Sequence, residues 1–262
     1  KLAQYWGQDE PSVDIGPIPW GDGIVDGQDM AVFAEYFLST LDPAANPNPA
    51  DASAVAPLIS DSNVYVVLDY TPGQHAIKHT GYFSDNIDDV NNRVADANLG
   101  FPPWPAISTT AFYVGCDLPD IPEFARVPLV RGTTYYWCVD EFDGFFTWPG
   151  QVWSFLVMPV EAWGPSPEDG ATSVVGDPNV TLSWNLGDLE TEGYTVSYIV
   201  YFGTDEAALA ELDTVEQTSY DVSGFDPSTT YYWRIDTKRM LARPPFTVVI
   251  TPGNIWSFTT GP

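Results

Sequence analysis

Apolar residues near the start of the chain recur with the spacing of a helix. Downstream of Asp29 they form one stripe, which consists of Met30, Phe33, Ala34, Phe37 and Leu38. Pro43 is expected to help end this helix. Residues 2–6 (LAQYW) resemble residues 33–37 (FAEYF), which predicts a second, similar helix packed against the first. We therefore expect a small helical module at 1–43 that begins inside a motif, because upstream residues were removed or this copy never had them.

Residues beyond a proline-rich linker predicted at Asn46–Pro49 show a different pattern, short alternating segments separated by Pro and Gly. Two stretches of this region match each other in the same order. RGTTYYWCVD at 131–140 parallels PSTTYYWRID at 227–236, and GQVWSF at 150–155 parallels GNIWSF at 253–258. The repeat predicts two copies of one domain.

Alternation within each copy predicts strands with one apolar face. The expected core positions are Tyr135, Trp137, Val139, Tyr231, Trp233 and Ile235. We predict a mainly β fold with two tandem antiparallel Ig-like β-sandwiches, at 46–159 and 161–262.

The first sandwich contains a stretch at about 93–128 that the second copy lacks. Cys116 lies in that insertion, and Cys138 alternates with the core-facing Trp137. A disulfide between these cysteines is predicted, and the alternative is two free buried thiols.

Composition narrows the function classes. The 262-residue chain has 36 Asp and Glu against 9 Lys and Arg, a formal net charge of −27. Such a charge disfavours nucleic acid and anionic membrane surfaces, whose binding needs basic patches. Aromatic residues make up 15% of the chain, which is too many for a disordered acidic tail. No apolar run is long enough for a membrane span, so we expect a mature, secreted, extracellular or cell-surface protein.

Two resemblances to known families follow from these motifs. The TTYYWxV/ID and WSF segments, with YFGT at 201–204, resemble fibronectin type III-like modules of secreted bacterial proteins. DIGP at 14–17 and GDGIVDGQD at 21–29, with the helix that follows, resemble a dockerin-type, EF-hand-like repeat. Such repeats stand beside these modules in large surface and secreted proteins of environmental bacteria. The resemblance to these modules indicates the fold much more closely than the function.

An acidic loop precedes the predicted helix and is the strongest candidate site. Calcium loops of this type need carboxylates at spaced positions, a Gly at the turn, then a carbonyl and a closing acid. The predicted calcium ligands are Asp14, Asp22, Asp26 or its water, Asp29 and the Ile24 carbonyl. Strict EF-hand spacing would place Ile18 and Trp20 at positions where a ligand needs an oxygen-bearing side chain. In the resembling repeats an earlier Asp at the head of a longer loop takes the first position, and Asp14 is that residue here. The alternative is a solvated acidic turn in which Asp29 caps the helix.

Other candidate chemistry is weak. His75 and His79 are the only histidines, and we expect them to be ordinary loop and strand residues. No nucleophile elbow, phosphate loop or zinc-protease helix occurs, so we predict that the protein is not an enzyme. Asn179 begins a glycosylation pattern, NVT. Trp20, Trp104, Trp148 and Trp163 are expected in loops or linkers, where exposed rings stack on sugars or, more often, fill domain joints.

Two functional hypotheses follow. The first is an extracellular structural or adhesive protein that self-associates, in a head-to-tail filament stabilised by calcium. Its support is the repeated module, the incomplete apolar N-terminus, and the β-forming segments Phe246–Ile250 and Ile255–Thr259. The second is an accessory part of a secreted polysaccharide-degrading enzyme system, which docks a cohesin-like protein or binds a cell-surface polysaccharide.

Overall fold

The fold is mainly β, as predicted, with 49% of the described residues in strands and 10% in helices. The structure is a computed structural model that describes residues 4, 6–8, 23–38, 43–60, 63–74, 76–100, 111–118, 121–144, 146–175 and 179–262. Its helices are α1 (Gly27–Leu38), α2 (Ile87–Asn91) and α3 (Glu123–Arg126), and a 3₁₀ turn covers Ala95–Ala97. Within the described residues, none of the helices has the length and apolar character needed to cross a bilayer.

The first sandwich is built from strands β1 to β10. They are β1 (Ala45–Asn48), β2 (Ser53–Val55), β3 (Leu58–Ser60), β4 (Asn63–Thr71), β5 (Lys78–Ser84), β6 (Asn98–Gly100), β7 (Phe112–Val114), β8 (Thr134–Phe142), β9 (Thr147–Trp148) and β10 (Trp153–Val157). One sheet has the order β1-β4-β3, with β7 also paired to β4. The other has the order β2-β10-β8-β5-β6, with β9 also paired to β8.

The second sandwich is built from strands β11 to β19. They are β11 (Trp163–Ser166), β12 (Ala171–Val174), β13 (Asn179–Asn185), β14 (Tyr194–Gly203), β15 (Ala210–Val215), β16 (Ser219–Ser223), β17 (Thr230–Leu241), β18 (Val248–Thr251) and β19 (Ile255–Thr260). The sheets have the orders β11-β13-β16 and β12-β19-β17-β14-β15, with β18 also paired to β17.

Strand pairing makes the two sandwiches copies of one another. The triplet β1, β4 and β7 corresponds to β11, β13 and β16, and the larger sheets correspond strand for strand. Two expectations from sequence are therefore wrong. Residues 46–49 are not a linker, because β1 pairs with β4 in the first sheet. Residues 93–128 are not wholly an insertion, because β6 and β7 take the places of β15 and β16.

A tyrosine corner recurs in both copies and supports the Ig-like assignment. The Tyr135 hydroxyl accepts the N–H of Val130 at 3.0 Å, and the Tyr231 hydroxyl accepts the N–H of Asp226 at 2.9 Å. Each tyrosine lies at the start of its strand, five residues after its partner. A hydrogen bond of this kind fixes the turn that leads from one sheet into the other.

The predicted core residues are confirmed. Trp137 and Trp233 are fully buried, and the other four predicted positions are at most 8% exposed. Edge-on tryptophan pairs lie at equivalent places, with centroids 4.7 Å apart for Trp137–Trp153 and 4.7 Å apart for Trp233–Trp256. The two centroid distances are equal although the sequences of the two copies differ. The same alternating positions therefore face the core in each copy.

Candidate functional site

The predicted calcium loop leads directly into helix α1, which begins at Gly27, two residues before Asp29. Val25 is fully buried, and its N–H and C=O bond to the backbone of Gln8 and Gly7. Asp29 is also fully buried, in the first helical turn, and its carboxylate accepts the N–H of Asp26 at 2.6 Å. A carboxylate next to a helix N-terminus is stabilised by the positive end of the helix dipole.

Helix capping in this loop falls to Asp26. Its Oδ1 accepts the N–H of Gln28, the second helical residue, at 2.7 Å. This is the geometry of an N-cap. Asp29, the third helical residue, accepts the N–H of Asp26 in return, which is the reciprocal pattern of a capping box and is compatible with a capping role for Asp29.

The described half of the loop fits calcium in its donor chemistry. Asp26, Asp29 and the Ile24 carbonyl supply oxygen donors, which calcium prefers. Asp14 and Asp22 lie outside the described residues. Within the described part of the chain, no three His, Cys, Asp or Glu side chains cluster in a way that would hold a metal ion.

A buried ion pair occupies the outer side of the large sheet in the first sandwich. Asp140 accepts hydrogen bonds from Arg93, at 2.9 Å from Nη2, and from the Gly150 N–H at 2.9 Å. Hydrogen bonding to Asp140 raises the pKa of Arg93. The Arg93 guanidinium also lies 5.9 Å from the centroid of the Tyr82 ring. Arg93 follows α2, so the pair anchors that helix against β8.

The second sandwich contains the same arrangement with a different source for the arginine. Asp236 accepts hydrogen bonds from the Gly253 N–H at 3.1 Å and from Arg234 Nε at 2.8 Å. The Arg234 guanidinium lies 4.4 Å from the centroid of the Tyr201 ring. Here the arginine comes from the same strand as the aspartate, two residues before it.

Cys138 explains this difference between the copies. It takes the strand position of Arg234, and its small side chain leaves room for Arg93 to reach Asp140. Cys116 instead belongs to the apolar core between the sheets. Both cysteines are buried free thiols, so the predicted disulfide is not formed. The prediction failed because Cys138 faces the side of the sheet opposite to the core that contains Cys116.

Both thiols are expected to resist alkylation in the native protein. Burial raises the pKa of Cys138 to about 12 and also raises the pKa of Cys116. The thiolate is the reactive form, so at pH 8 both groups stay protonated and inert. We expect no added mass after iodoacetamide treatment of folded protein, and two adducts after unfolding without reductant. An unfolded protein that takes up no adduct would contradict the free thiols.

A second buried polar group in the first sandwich has no equivalent in the second. The Glu141 carboxylate is 1% exposed, accepts the Gly73 N–H at 3.0 Å and lies 3.1 Å from His79 Nδ1. Burial, with the charge of Glu141 as a further cause, raises the pKa of the neighbouring Tyr70. Strand register places Tyr198 and Thr237 where the first copy has His79 and Glu141. The group ties the loop before β5 to β8.

The structure describes some of the predicted histidines and loop tryptophans, and the predicted glycosylation residue. His79 lies in β5, as expected of a strand histidine, whereas His75, Trp20 and Trp104 fall outside the described residues. Trp148 and Trp163 lie in strands rather than loops, and the Trp163 indole donates to the Leu186 carbonyl at 3.0 Å. Asn179 is exposed as the first residue of β13. Its glycosylation stays a prediction.

Comparisons with known proteins found similarity among solved structures. No protein-family model and no curated protein sequence matches the chain. Similar solved structures include the sixth fibronectin type III domain of human fibronectin type III domain containing protein 3. That match has 19% identity and a TM-score of 0.27, over 38% of this chain and 89% of the other.

Two further structures extend the comparison. The FN1-FN3 domains of chicken CNTN1 match with 14% identity and a TM-score of 0.25, over 84% of this chain and 67% of theirs. FN3tt matches with 18% identity and a TM-score of 0.25, over 40% of this chain and 98% of its own. The assignment of fibronectin type III-like sandwiches rests on the strand orders and the tyrosine corners described above.

Proposed function

We propose that the protein is a non-catalytic extracellular structural or adhesive protein. In this proposal it is a self-assembling subunit of a cell-surface or secreted filament, built from tandem sandwiches and stabilised by calcium. The observation that carries the proposal is the short, hydrogen-bonded joint between the two sandwiches. A joint of this kind suits a protein that holds its modules in a fixed order and spacing.

Residues 158–162 form the joint between β10 and β11. Arg131 of the first sandwich donates to the Met158 carbonyl at 2.9 Å and to Asp188 Oδ2 of the second at 2.7 Å. The Asp188 N–H donates to the Pro159 carbonyl at 2.7 Å. Both charged side chains are at most 27% exposed, so water screens their attraction less than at a free surface.

Close backbone packing further restrains the joint. Gly187 lies against the carbonyls of Val160 and Glu161, where a Cβ atom would collide with both oxygens. Ala162 is fully buried in the core of the second sandwich. A linker that is short, buried at one end and hydrogen-bonded to both sandwiches has little of the freedom of a flexible tether.

Calcium enters the proposal through the loop before α1, which we interpret as a dockerin-like module. Asp14, Asp22, Asp26, Asp29 and the Ile24 carbonyl would hold the ion, which would supply the positive charge that the acidic loop lacks. We expect calorimetric titration to show calcium binding and calcium to raise the melting temperature. Asp29→Asn should weaken binding at least tenfold, because it removes a ligand charge.

Asp96→Asn is the matched control for this titration, since it removes the same charge from an exposed position in the first sandwich. It should leave calcium affinity unchanged. Absence of heat and of any calcium-dependent melting shift in the wild-type protein would eliminate the calcium site. Circular dichroism of each variant shows whether it is folded.

The mass of the protein in solution tests the self-assembling part of the proposal. Light scattering of the full chain in calcium should give a mass that grows with concentration beyond that of one chain. Chelation should lower that mass. A single-chain mass at every concentration, with and without calcium, would refute the filament.

Two observations favour the alternative, an accessory part of a polysaccharide-degrading enzyme system. Met30 and Phe33 on α1 are 41% and 40% exposed, which gives that helix an apolar surface for a cohesin-like partner. Trp148 is 38% exposed and is available for stacking on a sugar. A cohesin pull-down and a glycan array test this alternative, and specific capture in either would favour it over the filament.

A further inference from the structure

The second sandwich has two strands whose outer edges are unpaired among the described residues. Strand β18 pairs with β17, and strand β15 pairs with β14, at opposite edges of the same sheet. An unpaired edge presents N–H and C=O groups that template the addition of another strand. Native proteins usually protect such edges with charge, proline or a covering segment.

Strand β18 is not protected in that way. Val248, Val249 and Ile250 are 46%, 38% and 48% exposed, and the strand contains no charged residue. The Leu241 N–H donates to the Thr247 carbonyl, so the antiparallel alternation turns the N–H groups of Val248 and Ile250 outward. The corresponding strand of the first sandwich, β9, has only two residues.

Charge is divided between the two edges. Residues 237–251, which include β18 and its turn, contain three cations, Lys238, Arg239 and Arg243, and no acid. The Arg239 guanidinium lies over the Tyr194 ring of β14 rather than at the β18 edge, whereas Arg243 is exposed in the turn before β18. Residues 204–216, which include β15, contain five acids, among them the exposed Glu211 and Asp213, and no cation. The chain has only 9 Lys and Arg in all, so this basic segment is unusual in a protein of net charge −27.

We propose that β18 of one copy adds to β15 of a second copy and continues the sheet from molecule to molecule. This inference rests on the proposed self-assembly and names the contact that produces it. Pairing of opposite edges brings the basic segment against the acidic one. Contact between two β18 edges or two β15 edges would instead place like charges together, which destabilises strand pairing.

Strand direction also favours this contact. Successive strands from β18 through β17 and β14 to β15 are antiparallel, so β18 and β15 run in opposite directions. A second copy in the same orientation therefore adds its β18 antiparallel to β15, and the sheet pattern continues without interruption.

The contact does not close on itself. Val215 of β15 and Thr251 of β18 both lie level with Tyr198, and the two strands extend from there in opposite directions. Each added copy must therefore shift along the strands by about four residues, or ~13 Å. Sheet twist also rotates it by roughly 90° over four strands. A heterologous contact that combines shift and rotation produces an open helical filament.

Two edge variants test the proposal in the full-length chain. One carries Glu211→Lys and Asp213→Lys, which reverses the charge of the β15 edge. The other carries Arg243→Glu and Val248→Pro, which reverses a charge and removes an outward N–H at the β18 edge. Proline is tolerated there because that N–H makes no hydrogen bond to β17. Glu168→Lys is the matched charge-reversal control on an exposed turn.

We expect each edge variant alone to stay a single chain at concentrations at least tenfold above those at which the wild type and the control assemble. An equimolar mixture of the variants should form two-chain complexes and nothing larger, because each retains one working edge. Sedimentation velocity distinguishes these species, and circular dichroism identifies a variant that is not folded.

The other possible outcomes show whether this contact or the proposed filament is wrong. If the wild type assembles and the edge variants assemble equally well, the contact lies elsewhere, and only this inference is overturned. Variants that dimerise alone would indicate like-with-like edges and also overturn it. A wild-type chain that never associates overturns the proposed filament itself. Binding to phosphatidylserine vesicles without self-association would assign the basic segment that includes β18 to a membrane surface, and would overturn both the proposed filament and this contact.

Discussion

Replacing Arg93 with alanine is expected to lower the free energy of unfolding of the first sandwich by about 3 kcal/mol. The substitution leaves the Asp140 carboxylate, whose side chain is 10% exposed, without its cation. It also removes the bond from Arg93 to the Gly150 carbonyl at 2.8 Å. Denaturant unfolding, followed by tryptophan fluorescence, measures the loss. Lys78→Ala, which removes an exposed cation, should cost less than about 1 kcal/mol.

The second sandwich indicates how this loss can be repaired. Cys138→Arg places an arginine two residues before Asp140, where Arg234 stands relative to Asp236. In the Arg93→Ala background it should recover at least half of the lost stability. In the wild-type background it should not stabilise, since Arg93 already fills that space. A double variant as unstable as Arg93→Ala alone would contradict the equivalence of the two ion pairs.

Replacing Gly253 with alanine is expected to lower the free energy of unfolding of the second sandwich by about 3 kcal/mol. A Cβ atom there would collide with the Ile235 carbonyl oxygen, which belongs to the backbone of the central strand β17 and cannot rotate away. The displaced chain would also lose the N–H bond from Gly253 to Asp236. Calorimetry of the full chain measures the shift in the transition of this sandwich.

Two comparisons make that result interpretable. Gly203→Ala, in the same sandwich, adds a methyl group at ordinary contact distance, 3.6 Å from Leu209, and should change stability little. Gly150→Ala should destabilise the first sandwich as Gly253→Ala does the second, because its Cβ meets the Val139 carbonyl. Equal stability of Gly253→Ala and Gly203→Ala would contradict the close approach.

The repeated segments made most of the fold predictable. Ser154 and Ser257 occupy matched positions, and each donates its N–H to a matched acid, Asp51 at 2.8 Å and Asp169 at 2.8 Å. Period-two alternation around Trp137 and Trp233 placed both in the core. Helix α1 was predictable because its apolar residues recur at helical spacing.

Strands β1, β6 and β7 were not predictable from alternation. Each has four residues or fewer, and β1 has the sequence ANPN, whose prolines and asparagines are typical of turns. Their strand conformation comes from pairing with β4 and β5, which is a tertiary effect. A local pattern does not contain that information.

The buried ion pair was only half visible in the sequence. The repeats align Cys138 with Arg234, and in the sequence alone this difference supports a disulfide at Cys138. The replacement guanidinium comes from Arg93, which lies 47 residues from its acid and whose position depends on α2. An unpaired Asp140 in one copy was the signal that another cation had to approach.

Electron microscopy of the full-length chain, negatively stained in calcium across a range of concentrations, tests the central claim most directly. The proposal predicts unbranched filaments that lengthen with concentration and shorten when calcium is chelated. Particles no larger than one chain under every condition would contradict it.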